Sequence, residues 1–337
     1  MPQSPSILSA AGVLPEKRID IKHHDETATQ LNANFYQFET GTPHLWHLND
    51  KRDIDILLED SLRDAIEYAR LSVDDIDFLI LSQVWSDNIM GQESGLLANR
   101  MGLKCPSIGI NAGTGGGCMA MEIAGSLILS ENYQRIAVVT GCNYTHFFHE
   151  NDPTKQLLSD GAASMIIGQG NGPEIIASYS VSTAGYRALE YVDGTPDNNV
   201  SYIRTPSGSG DYILSHMPET IVDCCTGVCR SADLQLSDID AYYIYDPVHW
   251  MHKAAAKALQ IDSKKIFSTF SRYGSLGAAL NTVALIDMAK HFRLRDGQIV
   301  IAMGFGVTAT ATACLLRWHD FPCQVSHTDR MNGVQIQ

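Results

Sequence analysis

Four short segments of this chain carry residue types that do chemistry. The first is Asn111-Ala112-Gly113-Thr114-Gly115-Gly116-Gly117-Cys118, between a predicted buried strand and a predicted buried helix. Glycine permits sharp turns and close backbone approach. A residue held there meets the free N–H groups and the dipole of a helix N-terminus, which favour developing negative charge. Tight packing of a helix on a sheet asks for the same glycines. The second segment is Tyr243-Ile244-Tyr245-Asp246-Pro247-Val248-His249, where a strand should end and a helix begin. Asp246 suits an N-cap and Pro247 the first helical position. His249 and His252, three apart, could share one side of that helix, but no metal ligand set accompanies them. The third, Ser271-Arg272-Tyr273-Gly274-Ser275-Leu276-Gly277-Ala278-Ala279, is a small-residue turn entering a helix. The fourth, Gly304-Phe305-Gly306-Val307-Thr308, ends the last buried apolar strand. Backbone N–H groups in such a turn can form half of an oxyanion hole. Both also fit plain turn chemistry. His146-Phe147-Phe148-His149, and Met90 in the loop after Trp85, could line a pocket or a subunit contact.

These segments need a scaffold, and the hydrophobic pattern outlines one. Apolar residues Ile54, Ile56, Leu57 and Leu62 on helical spacing predict a helix over 53–70. A strand over 78–82, a helix over 93–101, a strand over 107–111, a long apolar helix over 116–130 and a strand over 135–140 follow. The runs 136–139 and 299–303 are apolar on both faces, as buried strands of a layered α/β fold should be. The chain also repeats itself. Asp75-Ile76-Asp77-Phe78-Leu79-Ile80-Leu81 resembles Asp238-Ile239-Asp240-Ala241-Tyr242-Tyr243-Ile244, 163 residues later. Arg135-Ile136-Ala137-Val138-Val139-Thr140-Gly141 resembles Gln298-Ile299-Val300-Ile301-Ala302-Met303-Gly304 at the same offset. We read two copies of one α/β half, residues 1–170 and 171–337. No long linker separates them, so they should pack as one body.

Composition narrows the function. The 337 residues suffice for a large core without disulfide or metal staples. A net charge of −14 argues against a nucleic-acid partner and against an anionic membrane surface. No apolar run nears the roughly 18 residues of a membrane span, and the N-terminus lacks a basic signal-peptide region. The expected location is cytoplasmic. The 8 cysteines should then be reduced, with Cys224, Cys225 and Cys229 as buried thiols on a helix.

In this order the segments resemble the ketoacyl-carrier-protein synthase III branch of the thiolase superfamily, over nearly the whole chain. Ile7 through Gly12-Val13-Leu14-Pro15 looks like that family's first strand and Leu-Pro turn. Asp160-Gly161-Ala162-Ala163 looks like its central Asp-Gly-Ala turn. Arg272-Tyr273-Gly274 matches its Arg-Tyr-Gly-Asn segment up to the last residue, and Gly304-Phe305-Gly306 falls on its C-terminal glycine loop. The resemblance implies a five-layered αβαβα fold of two similar halves, usually homodimeric. It implies an acyl thioester of coenzyme A or of an acyl-carrier protein as substrate, with no other cofactor.

The departures from that pattern fall on the chemistry. The family uses a Cys nucleophile, a His and an Asn. Matching Ala120-Met121-Glu122-Ile123-Ala124 to its buried helix puts Thr114 at the Cys position, with Cys118 one turn later. Ungapped matching of Asp238-Ile239-Asp240 puts Tyr245 at the His position; Asp246 takes it only if the register shifts by one. Ser275 stands at the Asn position. The residues that hold coenzyme A adenine have no clear counterpart around 35–46. A Thr hydroxyl is a weak nucleophile without an adjacent base, and Tyr is a poor base near neutral pH. The expected site is Thr114, Tyr245, Asp246 and Ser275, with Gly306 as oxyanion donor and Met90 and Phe147 at the substrate. Three functions follow. The first is a divergent acyltransferase or condensing enzyme of fatty-acid-like or polyketide-type biosynthesis. The second is a non-catalytic partner in a heterodimer with an active ketosynthase-like subunit. The third is another thioester reaction, such as hydrolysis or decarboxylation.

Overall fold

The computed structural model of the chain describes residues 4–20, 44–83, 93–148, 152–186, 190–192, 202–204, 206–306 and 310–328. The first half supplies strands β1 (Ser6–Leu14), β4 (Phe78–Gln83), β5 (Ser107–Ile110), β6 (Arg135–Cys142) and β7 (Gly161–Gly168). Their order across the sheet is β5-β4-β6-β7-β1. The second half supplies β8 (Glu174–Ser182), β11 (Ala241–Ile244), β12 (Ile266–Phe267), β13 (Ile299–Phe305) and β14 (Thr310–Arg317). Their order, β12-β11-β13-β14-β8, is the same path with each strand replaced by its counterpart. In both sheets three strands are parallel and the last two turn antiparallel. The sheets touch where Ser6 pairs with Glu174. The last strand, β15 (Cys323–His327), crosses back to lie parallel to β1. Two short hairpin-like pairs stand apart: β2 (Arg18–Asp20) with β3 (His44–Trp46), and β9 (Glu190–Val192) with β10 (Tyr202–Arg204).

Five layers result. Helices α1 (Ile54–Tyr68) and α2 (Glu93–Met101) cover the outer face of the first sheet. Helices α3 (Gly116–Leu129) and α7 (Ala279–His291) lie between the sheets. Helices α4 (Ser209–Arg230) and α5 (Met251–Leu259) cover the second sheet, and the short α6 (Phe270–Tyr273) precedes α7. Strand alternation explains how one sheet feeds two cores. Leu79, Leu81, Ala137 and Val139 point under α1, while Ile80, Ile136 and Val138 join the central core around α3. Helix α7 is buried on all sides rather than one, with ten buried residues, of which Asn281, Thr282 and Asp287 are polar. No helix among the described residues is long and apolar enough to cross a membrane. All eight cysteines are unpaired, and Cys224, Cys225 and Cys229 are buried along α4.

The duplication reaches the hydrogen bonds. Asp75 accepts the Ser72 N–H at 2.8 Å, and Asp238, 163 residues later, accepts the Gln235 N–H at 2.9 Å. The next contacts correct the ungapped match. Asp77 N–H donates to Arg135 O, but Asp240 N–H donates to Ile299 O, not to Gln298 O. The second half carries one extra residue before β13, where the Gln298 side chain instead takes the Arg295 N–H at 2.8 Å and tightens the turn.

Two local expectations also change. No helix starts at Pro247; α5 begins at Met251, so Asp246 does not cap it and only His252 of the two histidines lies on it. The Asp246 carboxylate is taken by a segment distant in sequence, as described next.

Candidate functional site

Thr114 sits in a single 3₁₀ turn, Gly113–Gly115, that leads directly into α3. Glycine is needed beside it: a Cβ on Gly116 would lie 2.0 Å from Ser82 Oγ, and one on Gly115 would lie 2.8 Å from Gly306 N. The turn is therefore pressed against the ends of β4 and β13. Asn281 of α7 holds it, donating from Nδ2 to Thr114 O at 2.8 Å. Cys118 points away from the turn and donates its thiol to Asn281 Oδ1 at 3.4 Å.

Three of the expected site residues converge. Tyr245 follows β11, and Ser275 follows α6. Their hydroxyls lie 2.7 Å apart and buried. The Thr114 side chain lies beside the Tyr245 phenol. Ser275 is fixed on both sides of its backbone, by N–H to Leu157 O at 2.7 Å and by its own carbonyl to Ser159 N–H at 2.8 Å. Burial pushes the Tyr245 phenol well up, against the opposing hydrogen bond from Ser275, so the phenol stays protonated. Thr114 Oγ1 donates to Phe305 O at 2.5 Å. A peptide carbonyl cannot take that proton. Among the described residues no carboxylate or imidazole hydrogen-bonds to any of the three hydroxyls. The arrangement can donate to a carbonyl oxygen; it holds no base to ionise the threonine.

Asp246 faces elsewhere. Its carboxylate accepts Ser268 Oγ at 2.6 Å, Thr269 N–H and Oγ1 at 2.8 Å each, and Phe270 N–H at 3.2 Å. It thus caps α6 across the fold. Burial pushes the group up to about 6, opposed by those four donors. The Gly306 N–H is spent as well, donating to Thr310 O at 3.0 Å, while the Thr183 hydroxyl donates to Gly306 O. Phe147 is buried in a small cluster with Cys142, Tyr144, Phe148, Leu158 and Ile203, and Lys51 Nζ stands 5.5 Å over its ring. Leu158 bridges to Ser275, so this cluster adjoins the hydroxyl group. Met90 lies outside the described residues. Among the described residues no three His, Cys, Asp or Glu side chains gather into a metal-binding set.

One neighbour was missed in the sequence. Tyr144 follows β6 and is buried at 3% exposure. Its ring would lie 3.3 Å from a Cβ on Gly277, two residues past Ser275, and its hydroxyl has no hydrogen-bond partner among the described residues. The stretch read from the sequence, His146-Phe147-Phe148-His149, begins two residues after it.

The Tyr245–Ser275 pair gives a first test. In urea unfolding, Tyr245→Phe and Ser275→Ala should each lose about 1 kcal/mol, and the double variant should lose less than their sum by about the same amount. Additive losses would show that the two hydroxyls do not bond.

Two duplicated α/β halves, with their chemistry at the strand ends around a central helix pair, define the thiolase fold. The 3-oxoacyl-[acyl-carrier-protein] synthase III family matches residues 108–185, and its C-terminal family matches residues 229–318. The β-ketoacyl-[acyl-carrier-protein] synthase III of Rickettsia prowazekii is 26% identical over 93% of this chain and 99% of its own. That of Clostridioides difficile is 23% identical over 93% and 98%. Among solved structures, the 3-oxoacyl-(acyl carrier protein) synthase III of Pseudomonas aeruginosa matches with TM-score 0.80, at 20% identity over 95% of this chain and 99% of that one. Xanthomonas campestris OleA, solved with lauric acid and lauroyl-CoA, matches with TM-score 0.79, at 16% identity over 94% and 100%. This chain belongs to the ketoacyl synthase III-like branch of the thiolase superfamily, a group of condensing enzymes and acyltransferases.

Proposed function

We propose that this protein is a divergent acyltransferase or condensing enzyme acting on an acyl thioester of coenzyme A or a carrier protein, in fatty-acid-like or polyketide-type biosynthesis. In this reading Thr114, Tyr245 and Ser275 stand where the family has Cys, His and Asn. The observation that carries it is the buried hydroxyl group centred on the 2.7 Å Tyr245–Ser275 contact. The Tyr245–Ser275 pair, which keeps one proton to give, would stabilise negative charge on the thioester carbonyl oxygen. The acceptor would attack the carbonyl carbon directly, the C–S bond would break, and the acceptor's proton would leave with the thiol. Holding donor and acceptor together supplies much of the rate. Thr114 would position the Tyr245 phenol rather than carry the acyl group, because its own proton rests on the Phe305 carbonyl.

Intact-mass spectrometry with a panel of acyl-coenzyme A and acyl-carrier-protein thioesters tests this. Turnover without a covalent adduct is expected, and it should fall about 10²-fold or more in Tyr245→Phe. An adduct lost only in Thr114→Ala would replace direct transfer by a covalent threonine mechanism. The second reading is a silent partner of an active ketosynthase-like subunit. It is favoured by one observation: both the Thr114 hydroxyl and the Gly306 N–H are spent on backbone carbonyls. Turnover only after mixing with an intact synthase would decide for it. In either case the surface we assign to pairing, with itself or with that subunit, is the β5 edge, where Ile108 is 45% and the adjacent Leu96 41% exposed. We place the protein in the cytoplasm, in keeping with its eight free thiols.

A further inference from the structure

We propose that Tyr144 is a substrate-binding residue whose phenol O–H donates to the carbonyl oxygen of the bound acyl thioester. This rests on the thioester reading above and names a contact within that same site.

A buried hydroxyl without a partner is costly, and the fold removes such groups unless something else satisfies them. Around this site most other donors have partners, Ser82 Oγ beside Gly116 being another that has none among the described residues. Tyr245 and Ser275 bond each other, Thr114 bonds Phe305 O, the Gly306 N–H bonds Thr310 O, and the Cys142 thiol reaches Ser159 O at 3.3 Å. The Tyr144 hydroxyl, by contrast, has no hydrogen-bond partner at all among the described residues, at 3% exposure; the Tyr245–Ser275 pair shares one proton and keeps the other to give. The ring is held in place by its neighbours. It packs with Phe148 at 6.5 Å between centroids, and its edge lies against Gly277. The Tyr144 N–H segment is tied down as well, since Tyr144 O accepts the N–H groups of Phe147 and Phe148. Gly277, at φ +54, has no Cβ to separate the ring from the turn that carries Ser275. Burial raises the ionisation of the phenol far above the ordinary range. It is a permanently neutral donor. An ester-type carbonyl oxygen is an acceptor with no proton of its own, so it complements such a group; a carboxylic acid or an alcohol would bring a competing donor.

The test compares binding of acyl thioesters with binding of S-alkyl thioethers of equal chain length, which lack only the carbonyl oxygen. Both coenzyme A and carrier-protein forms serve as probes, measured by calorimetry on the full chain and on Tyr144→Phe. The wild type should prefer thioester over thioether about tenfold, and Tyr144→Phe should lower that ratio several-fold while leaving thioether binding unchanged. A preference undiminished in Tyr144→Phe overturns the proposal, as does a wild type that binds both forms equally. A wild type that binds neither form overturns the thioester reading itself. Unliganded Tyr144→Phe should unfold at the same or a higher temperature, because Phe keeps the ring and deletes only the unpaired hydroxyl. A lower midpoint would show that the hydroxyl already has a structural partner, and would also overturn the proposal.

Discussion

Replacing Asp246 by Ala is expected to lower stability by roughly 3–5 kcal/mol and to abolish the site. The cost follows from the partners left behind. Ser268 Oγ, Thr269 N–H, Thr269 Oγ1 and Phe270 N–H all give to this one carboxylate, and the group is fully buried. Removing an acceptor from buried donors costs far more than the net value of the bonds it made. The damage also travels. The segment it caps runs through Arg272 and Tyr273, which are held by Asp287 at 2.6 and 2.8 Å, into Ser275. Loosening α6 therefore releases Ser275 from Tyr245. Urea unfolding together with thioester binding measures both effects; a variant of wild-type stability would show that the cap is not structural.

The same residue gives a pH signature. Its folded value, about 6, is above the ordinary carboxylate value of 3.8, because burial outweighs the four donors. The folded chain thus holds a proton that the unfolded chain has already released. This contribution is fully present below about pH 4 and is lost as pH rises through about 6. Between pH 5 and 7.5 the loss should be on the order of 1 kcal/mol. Asp246→Asn, with its carbonyl oxygen toward the two N–H donors and its amide toward Thr269 Oγ1, should be free of it. Parallel pH curves for the two proteins would exclude Asp246 as the titrating group.

Gly306→Ala should be the second large loss. A Cβ there would stand 2.2 Å from Ala112 O and 2.5 Å from Thr310 O, and both atoms are backbone. Neither can rotate aside, so the loop after β13 must withdraw from the Thr114 turn. That movement breaks the Thr114–Phe305 and Gly306–Thr310 hydrogen bonds together. A destabilisation of about 2–4 kcal/mol is expected, with loss of thioester binding. Gly95 supplies the contrast. It lies exposed in α2 with nothing within 4 Å of a Cβ, so Gly95→Ala should stabilise by about 0.5–1 kcal/mol. Equal effects at the two positions would mean that helix propensity and local flexibility, not close approach, decide both.

The elements were readable because their signals are local. Periodicity placed the helix over 53–70 and the structure ends it at Ile54–Tyr68; the helix over 93–101 matches α2. The run 299–303 extends to Phe305 in β13, since a doubly buried strand continues as far as its partners do. Asp246 was misread for the opposite reason. An Asp-Pro pair after a strand has the local chemistry of an N-cap, but a carboxylate binds whichever N–H groups reach it. Here those groups come from 23 and 24 residues onward. The one-residue shift between the halves was hidden similarly, since apolar runs match equally well in neighbouring registers and only the ladder separates them.

What the sequence by itself determined is therefore the set of layers, the duplication and the residue types available at the strand ends: a threonine, a tyrosine and a serine in ordered motifs. Those are properties of pattern and composition, set by neighbours along the chain. Tertiary structure alone decided which hydroxyls meet and which stay free. Thr114 bonds a carbonyl 191 residues away, and Tyr245 meets Ser275 across 30. A hydrogen bond depends on distance and direction in space, and only the packed fold supplies those. For the same reason the fold spends the Gly306 N–H and leaves the Tyr144 hydroxyl unpaired.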